Sequence, residues 1–265
     1  MTQTSKGSAQ TSRLRVVARK DAVDEATGTR ADGAVYLCEA LSVMNEGAGF
    51  LDRLKLDEIA ALRRVTSPMS FEPGESIFLQ GDVHSGILLI EEGRVRIYYA
   101  GPSGKEITLA YWTPGHFIGG PEVFGGGLHM WSAEAVEPSR LSYLPAGKLR
   151  HLAATVPAIA MALIDGLVAR GKCYSALVQM LGTRSVTERL AQLLLILAST
   201  DNAGLERGVS LIIDRRITHE QMASIVGSTR QWVTSTLARF QREKIIRIER
   251  GVIHLDRPEA LPLQS

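Results

Sequence analysis

A chain of 265 residues with 45% hydrophobic and 22% charged side chains can bury a full core, and its length predicts more than one domain. The net charge of +2 is uneven: residues 1–30 carry +3 and residues 215–250 carry +5, which leaves −6 elsewhere, so basic character is concentrated as a polyanion partner would need. Two cysteines exclude a disulfide framework or a four-thiolate iron–sulfur site, and no apolar run reaches the roughly 18 residues of a membrane span. With no hydrophobic signal core after Met1, the expectation is a cytoplasmic protein without a membrane partner.

Residues 1–46 are rich in Ser, Thr, Gly, Ala and charge and read as a disordered tail, with a short helix near VYLCEALSVM at its end. FLDRLKLDEIAALRRV, from Phe50 to Val65, places Leu51, Leu54, Ile59 and Leu62 near one face and predicts a short helix or a pair of helical turns. Alternating runs SIFLQ, GILLI, RVRIYYA and EITLAYW follow, separated by glycine turns, with RLSYL before Pro145. Short strands at such spacing predict an antiparallel roll or barrel over residues 47–156.

After Pro157 the period becomes 3.5: Ala160, Ile164, Leu167, Gly171, Tyr174, Val178 and Leu181 step by four and three, as a coiled-coil seam does. Residues 157–183 therefore read as a dimerisation helix, the alternative being a helix packed only on its own roll. Gly171 weakens the helix by about 1 kcal/mol relative to Ala and permits close approach of a partner. Ser185 with Glu188 caps a further helix through LAQLLLILAST, and DNAGLERG is the loop after it.

Residues 184–260 end in the most informative stretch. Thr218 and Gln221 form a capping box, Met222, Ile225 and Val226 recur at helical spacing, and Gly227 ends the helix. Ser228 with Gln231 repeats the cap signal, and Val233, Leu237 and Phe240 make one apolar stripe on a second helix. Arg230, Gln231 and Thr234 then face solvent where a recognition helix meets base edges, an arginine there suiting guanine. Thr218, Ser228 and Thr229 flank them. IIRIERGVIHL reads as a two-stranded wing whose Arg247 and Arg250 reach phosphates. Trp232 is read as packing. An ordinary helical hairpin is the alternative.

A roll, a long dimer-type helix and a winged helix-turn-helix in this order resemble the cyclic-AMP receptor protein family, the Crp/Fnr regulators, from about Thr66 to Leu255. ERLAQLLLILA and the ITHEQ to VIHL segment carry the resemblance most specifically, with FEPGESIFLQGD and GHFIGG beside them. It implies an α+β fold, a homodimer on two-fold symmetric double-stranded DNA, contact with RNA polymerase, and a small effector read by the roll. Arg230 falls on the family's guanine-reading arginine, and Gln231 and Ser235 depart from common members.

Cyclic-nucleotide binders of that family place a Gly-Glu pair and then Arg-Ser or Arg-Thr in their phosphate cassette. This chain has Gly119, Gly120, Pro121 and Glu122, then His129, Met130, Trp131 and Ser132, with no Lys or Arg from Glu106 to Ser139. The expectation is an unidentified effector, apolar or aromatic, other than cyclic AMP, with Trp112 and Tyr143 as further lining and an N–H nest at Gly125 to Gly127 as the way an anion would still be held. No resident cofactor or metal is expected, because Cys38, His84, His116, His129 and Cys173 lack ligand spacing; one axial haem histidine would leave little trace. No catalytic motif is present, so an enzyme is not expected. Two alternatives remain: a cyclic-nucleotide-responsive regulator, and a regulatory subunit acting through protein contacts.

Overall fold

The computed structural model describes residues 49–201, 211–213 and 217–263, all within one compact unit. The expected tail over 1–46, with Cys38, and most of the DNAGLERG loop lie outside the described residues. A 3₁₀ turn, Leu51–Arg53, leads into α1, Leu56–Arg63, so the FLDRLK stretch forms two short pieces. Phe50 anchors them by setting its ring edge against Phe117 at 5.6 Å and 81°.

Eight strands follow: β1 Ser67–Phe71, β2 Ser76–Phe78, β3 Gly86–Glu92, β4 Val95–Ala100, β5 Glu106–Trp112, β6 Phe117–Ile118, β7 Ser132–Ala135 and β8 Ser139–Pro145. They form two antiparallel four-stranded sheets, β1-β8-β3-β6 and β2-β7-β4-β5, whose apolar faces enclose the roll interior. Three strands escape the alternation pattern for identifiable reasons. SPMSF buries only Phe71 and holds Pro68, which an edge strand such as β1 tolerates. β6 has two residues. In β7 the inward residues are small, Ala133 and Ala135, both without exposed surface.

A helix also goes unsignalled after β8. α2, Ala146–Thr155, buries only Leu149 and so has little apolar stripe. Val156 is extended, Pro157 opens α3, Pro157–Thr183, and the two helices meet at a 117° bend. No single described helix is long and apolar enough to cross a membrane. α4, Val186–Asp201, starts at the expected cap, where Ser185 N–H donates to Glu188 Oε2 at 2.6 Å and Glu188 N–H to Ser185 Oγ at 3.3 Å.

β9, Leu211–Ile213, α5, His219–Val226, α6, Arg230–Arg242, β10, Ile246–Glu249, and β11, Val252–Leu255, follow, and a 3₁₀ turn, Pro258–Ala260, completes the described fold. The wing is three-stranded rather than two-stranded, in the order β10-β11-β9, because Leu211 to Ile213 pairs with the outer edge of β11. Its tip turns on Arg250 at φ 52° and Gly251 at φ 86°, the two left-handed positions of a type I′ hairpin.

Candidate nucleic-acid interface and effector region

α5 and α6 are positioned by local chemistry. Thr218 Oγ1 accepts from Gln221 N–H at 3.1 Å while Thr218 N–H donates to Gln221 Oε1 at 2.8 Å. Gly227 takes φ 67° and Ser228 N–H donates to Ala223 O at 2.8 Å, a Schellman-type stop. Ser228 thus closes α5, and the cap of α6 falls one residue later than expected: Thr229 Oγ1 accepts from Trp232 N–H at 3.2 Å. Val233, Leu237 and Phe240 are buried against α4 and α5, and Trp232 packs partly onto the same core.

The opposite face of α6 presents Thr229, Arg230, Gln231 and Thr234 to solvent. Thr234 is less available than its exposure suggests, since its hydroxyl donates to Arg230 O at 2.9 Å and lies 2.8 Å from His219 Nδ1. Having one proton, that hydroxyl must accept from His219, which ties α5 to α6. His219 gave no sequence signal. In the wing, Arg247 is engaged by Glu249 and, at 3.5 Å, by Asp256, whereas Arg250 stands exposed at the tip.

In the roll, Gly119, Gly120, His129, Trp131 and Ser132 come together. A Cβ on Gly119 would lie 3.0 Å from His84 Nε2, and one on Gly120 3.1 Å from both His84 Cδ2 and Glu122 Oε2, so the glycines let the chain pass against His84. His129 stacks on Phe78 at 3.8 Å and 11°, with His84 edge-on at 4.6 Å. Trp131 Nε1 donates to Gly119 O at 3.2 Å, and its ring lies 5.7 Å from Tyr174 of α3. Ser132 Oγ accepts from Gln80 N–H at 3.0 Å. Of the other expected residues, Glu122 is exposed at the rim with its carboxylate beside Gly120 and His84, and Met130 is 57% exposed on the bend before β7.

Both ring nitrogens of His84, and Nδ1 of His129, are buried without a hydrogen-bond partner. Burial lowers the pKa of each imidazole, that of His129 to about 4, with the neighbouring His84 adding to the effect. The glycine nest is largely spent on the chain itself, since Gly125 N–H donates to Glu122 O and Gly126 N–H to His84 O. Trp112 lies in the interior, whereas the Tyr143 hydroxyl donates out to Ser85.

A cation does reach this region, from a distant element. Arg170 of α3 donates to Phe117 O and lies over the rings of Phe117 at 3.9 Å and Trp112 at 4.9 Å. Burial depresses its pKa to about 10. It leaves no signal in the cassette segment because it stands more than 30 residues beyond Ser139 on another element. No group of three or more His, Cys, Asp or Glu among the described residues is arranged to hold a metal.

On α3 the expected seam divides. Ile164, Gly171 and Val178 are exposed, but Leu167 packs against the core under α1 and α2, Tyr174 faces Trp131, and Leu181 packs onto the α4–α6 core. The exposed row is Met161, Ile164, Val168, Gly171, Ser175 and Val178, which also steps by three and four.

Residues 68–156 match the cyclic nucleotide-binding domain family and residues 188–262 the Crp-like helix-turn-helix domain. The chain is 29% identical to the CRP-like cAMP-activated global transcriptional regulator of Mycobacterium tuberculosis, over 76% of this chain and 89% of that one. It is 30% identical to the transcriptional regulator SdrP of Thermus thermophilus, over 73% and 92% respectively. The solved structure of CLP, the c-di-GMP-responsive global regulator of Xanthomonas campestris, shares the fold with a TM-score of 0.66 at 18% identity, covering 76% of this chain and 99% of that one. With its roll followed by a Crp-like helix-turn-helix, and with relatives that are regulators rather than enzymes, this chain belongs to the Crp/Fnr family of transcriptional regulators.

Proposed function

We propose that this regulator acts in the cytoplasm as a homodimer that reads a two-fold symmetric DNA site through α6, contacts RNA polymerase as its family does, and senses through its roll an effector other than cyclic AMP. The working division is roll 47–156, dimerisation helix 157–183 and DNA-binding domain 184–260. The observation that carries the DNA reading is the first turn of α6, where Arg230 and Gln231 are exposed on a helix whose other stripe is fully buried. The exposed three-four row on α3 supports the dimer.

For the effector, the supporting observation is what fills the cassette: stacked His129 and Phe78, with Trp131 bonded to Gly119 O, leave an aromatic environment with neutral imidazoles as its polar handles. Arg170 favours a second reading, an anionic effector held from α3, with cyclic nucleotides among the candidates. Calorimetry with cyclic AMP and cyclic GMP separates the two. The first reading expects no saturable binding at millimolar ligand; saturable micromolar binding that Arg170→Gln abolishes would establish the second. Sequencing DNA fragments selected by the purified protein tests the DNA reading, which fails if no inverted-repeat site is enriched.

A further inference from the structure

The β4–β5 hairpin of the roll is covered on its outer face by the DNA-binding domain. Tyr111 is buried in the core of α4, α5 and α6, and Leu109 and Val136 pack beside it. Within this apolar contact lies a polar knot. Arg96 donates from Nε to Thr108 Oγ1 at 2.9 Å and from Nη1 to Glu134 Oε1 at 2.8 Å. Its Nη2 donates to Glu106 Oε2 at 2.7 Å and to Ser224 Oγ of α5 at 2.9 Å. The Thr108 and Ser224 hydroxyls share a further hydrogen bond of 2.7 Å, and Lys105 Nζ donates to Gly227 O at 2.8 Å, at the turn that leads into α6.

Two features give this contact a direction. Glu134 lies on β7, two residues beyond Ser132 and three beyond Trp131, so the strand that walls the effector region also carries the carboxylate that orients Arg96. The hairpin end around Lys105 stands beside the start of α6, the end of a recognition helix that must meet phosphates and base edges. We propose that Arg96 is a latch: braced by Glu106 and Glu134, it holds Ser224 and so docks the helix-turn-helix on its own roll in a resting state with low affinity for DNA. Displacement of β7 by an occupant at Trp131 and Ser132 shifts Glu134, loosens Arg96 and frees the domain.

A cross-link tests this in the full chain. Thr108→Cys with Ser224→Cys replaces two hydroxyls already in contact, and oxidation locks the domains while a reductant frees them. On a selected DNA site the oxidised variant is expected to bind at least about tenfold more weakly than the same protein after reduction, with the unsubstituted protein under both conditions as baseline. Ser224→Ala, which leaves Arg96 its three roll partners, is expected to bind roughly three- to tenfold more tightly than the unsubstituted protein. Equal affinity of the oxidised and reduced variant would overturn the latch, as would Ser224→Ala with unchanged or weaker binding.

Discussion

Val168→Lys discriminates between the two rows that α3 offers as a dimer seam. In the single chain Met161, Ile164, Val168 and Val178 are 51–68% exposed, so a partner helix can still bury about half of each side chain. Full burial of such a residue contributes about 1.5–3 kcal/mol, so half contributes about 1 kcal/mol, or about 8 kcal/mol over four residues in each of two copies. Association costs 4 kcal/mol or more, so the seam is adequate but without much surplus. Lysine at 168 in both copies removes about 2 kcal/mol of that gain and sets two like charges against each other across the axis. The dimer dissociation constant should rise at least about 30-fold, since each 1.4 kcal/mol is tenfold. Sedimentation over a dilution series reads it, with circular dichroism as the check that the chain stays folded. If Val168→Lys remains as dimeric as the parent while Leu167→Lys dissociates without unfolding, the partner faces the row containing Leu167 and Tyr174 and the reasoning from exposure fails.

Three further outcomes are expected. Arg230→Ala should weaken binding to the best DNA site by about 1–3 kcal/mol and change binding to scrambled DNA much less; equal loss on both in gel shifts would make Arg230 a phosphate contact. A Cβ at Gly171 meets nothing within 4 Å in the single chain, so Gly171→Leu should leave or slightly raise helical stability while weakening the dimer by blocking close approach, and a variant with undiminished dimer affinity would remove Gly171 from the interface. His129 is held neutral, its pKa lowered by burial from 6.5 to about 4, so below pH 6.5 the unfolded chain takes up a proton that the folded one refuses. Stability should therefore be level above pH 6.5 and fall as pH drops from about 6.5 towards about 4, and His129→Phe should flatten that slope in urea titrations; an unchanged slope would mean that the His84–His129 pair is not its source.

What could be read in advance was whatever is fixed by neighbours in sequence. Thr218 with Gln221 and the left-handed Gly227 are short-range devices, and they place α5 within a residue. Even there the next cap moved from Ser228 to Thr229, because the Ser228 N–H is consumed in closing the preceding helix, a competition that spacing alone does not express. β7 was invisible for a different reason: alanines seal its inner face, and alanine carries little hydrophobic pattern. Arg170 had no trace in the cassette segment, since tertiary structure alone brings α3 over Phe117.

The α3 seam and strand β5 show the same limit from the side of partners. The expected and exposed rows of α3 share Ile164, Gly171 and Val178 and differ in their alternate members by one position, Leu167 against Val168 and Tyr174 against Ser175. A 3.5-residue period announces an apolar face without saying which flank of it the chain's own roll has already taken. That is decided by Trp131, which turns Tyr174 inward and leaves Ser175 out. EITLAYW behaves alike: its near-continuous apolar run requires cover on both faces, and the roll interior supplies only one, through Ala110 and Trp112. The second cover, over Leu109 and Tyr111, is the DNA-binding domain itself. A strand whose composition demands two covers is thus the place where the roll and the DNA-binding domain meet, and the Arg96 knot lies on that strand's outer face.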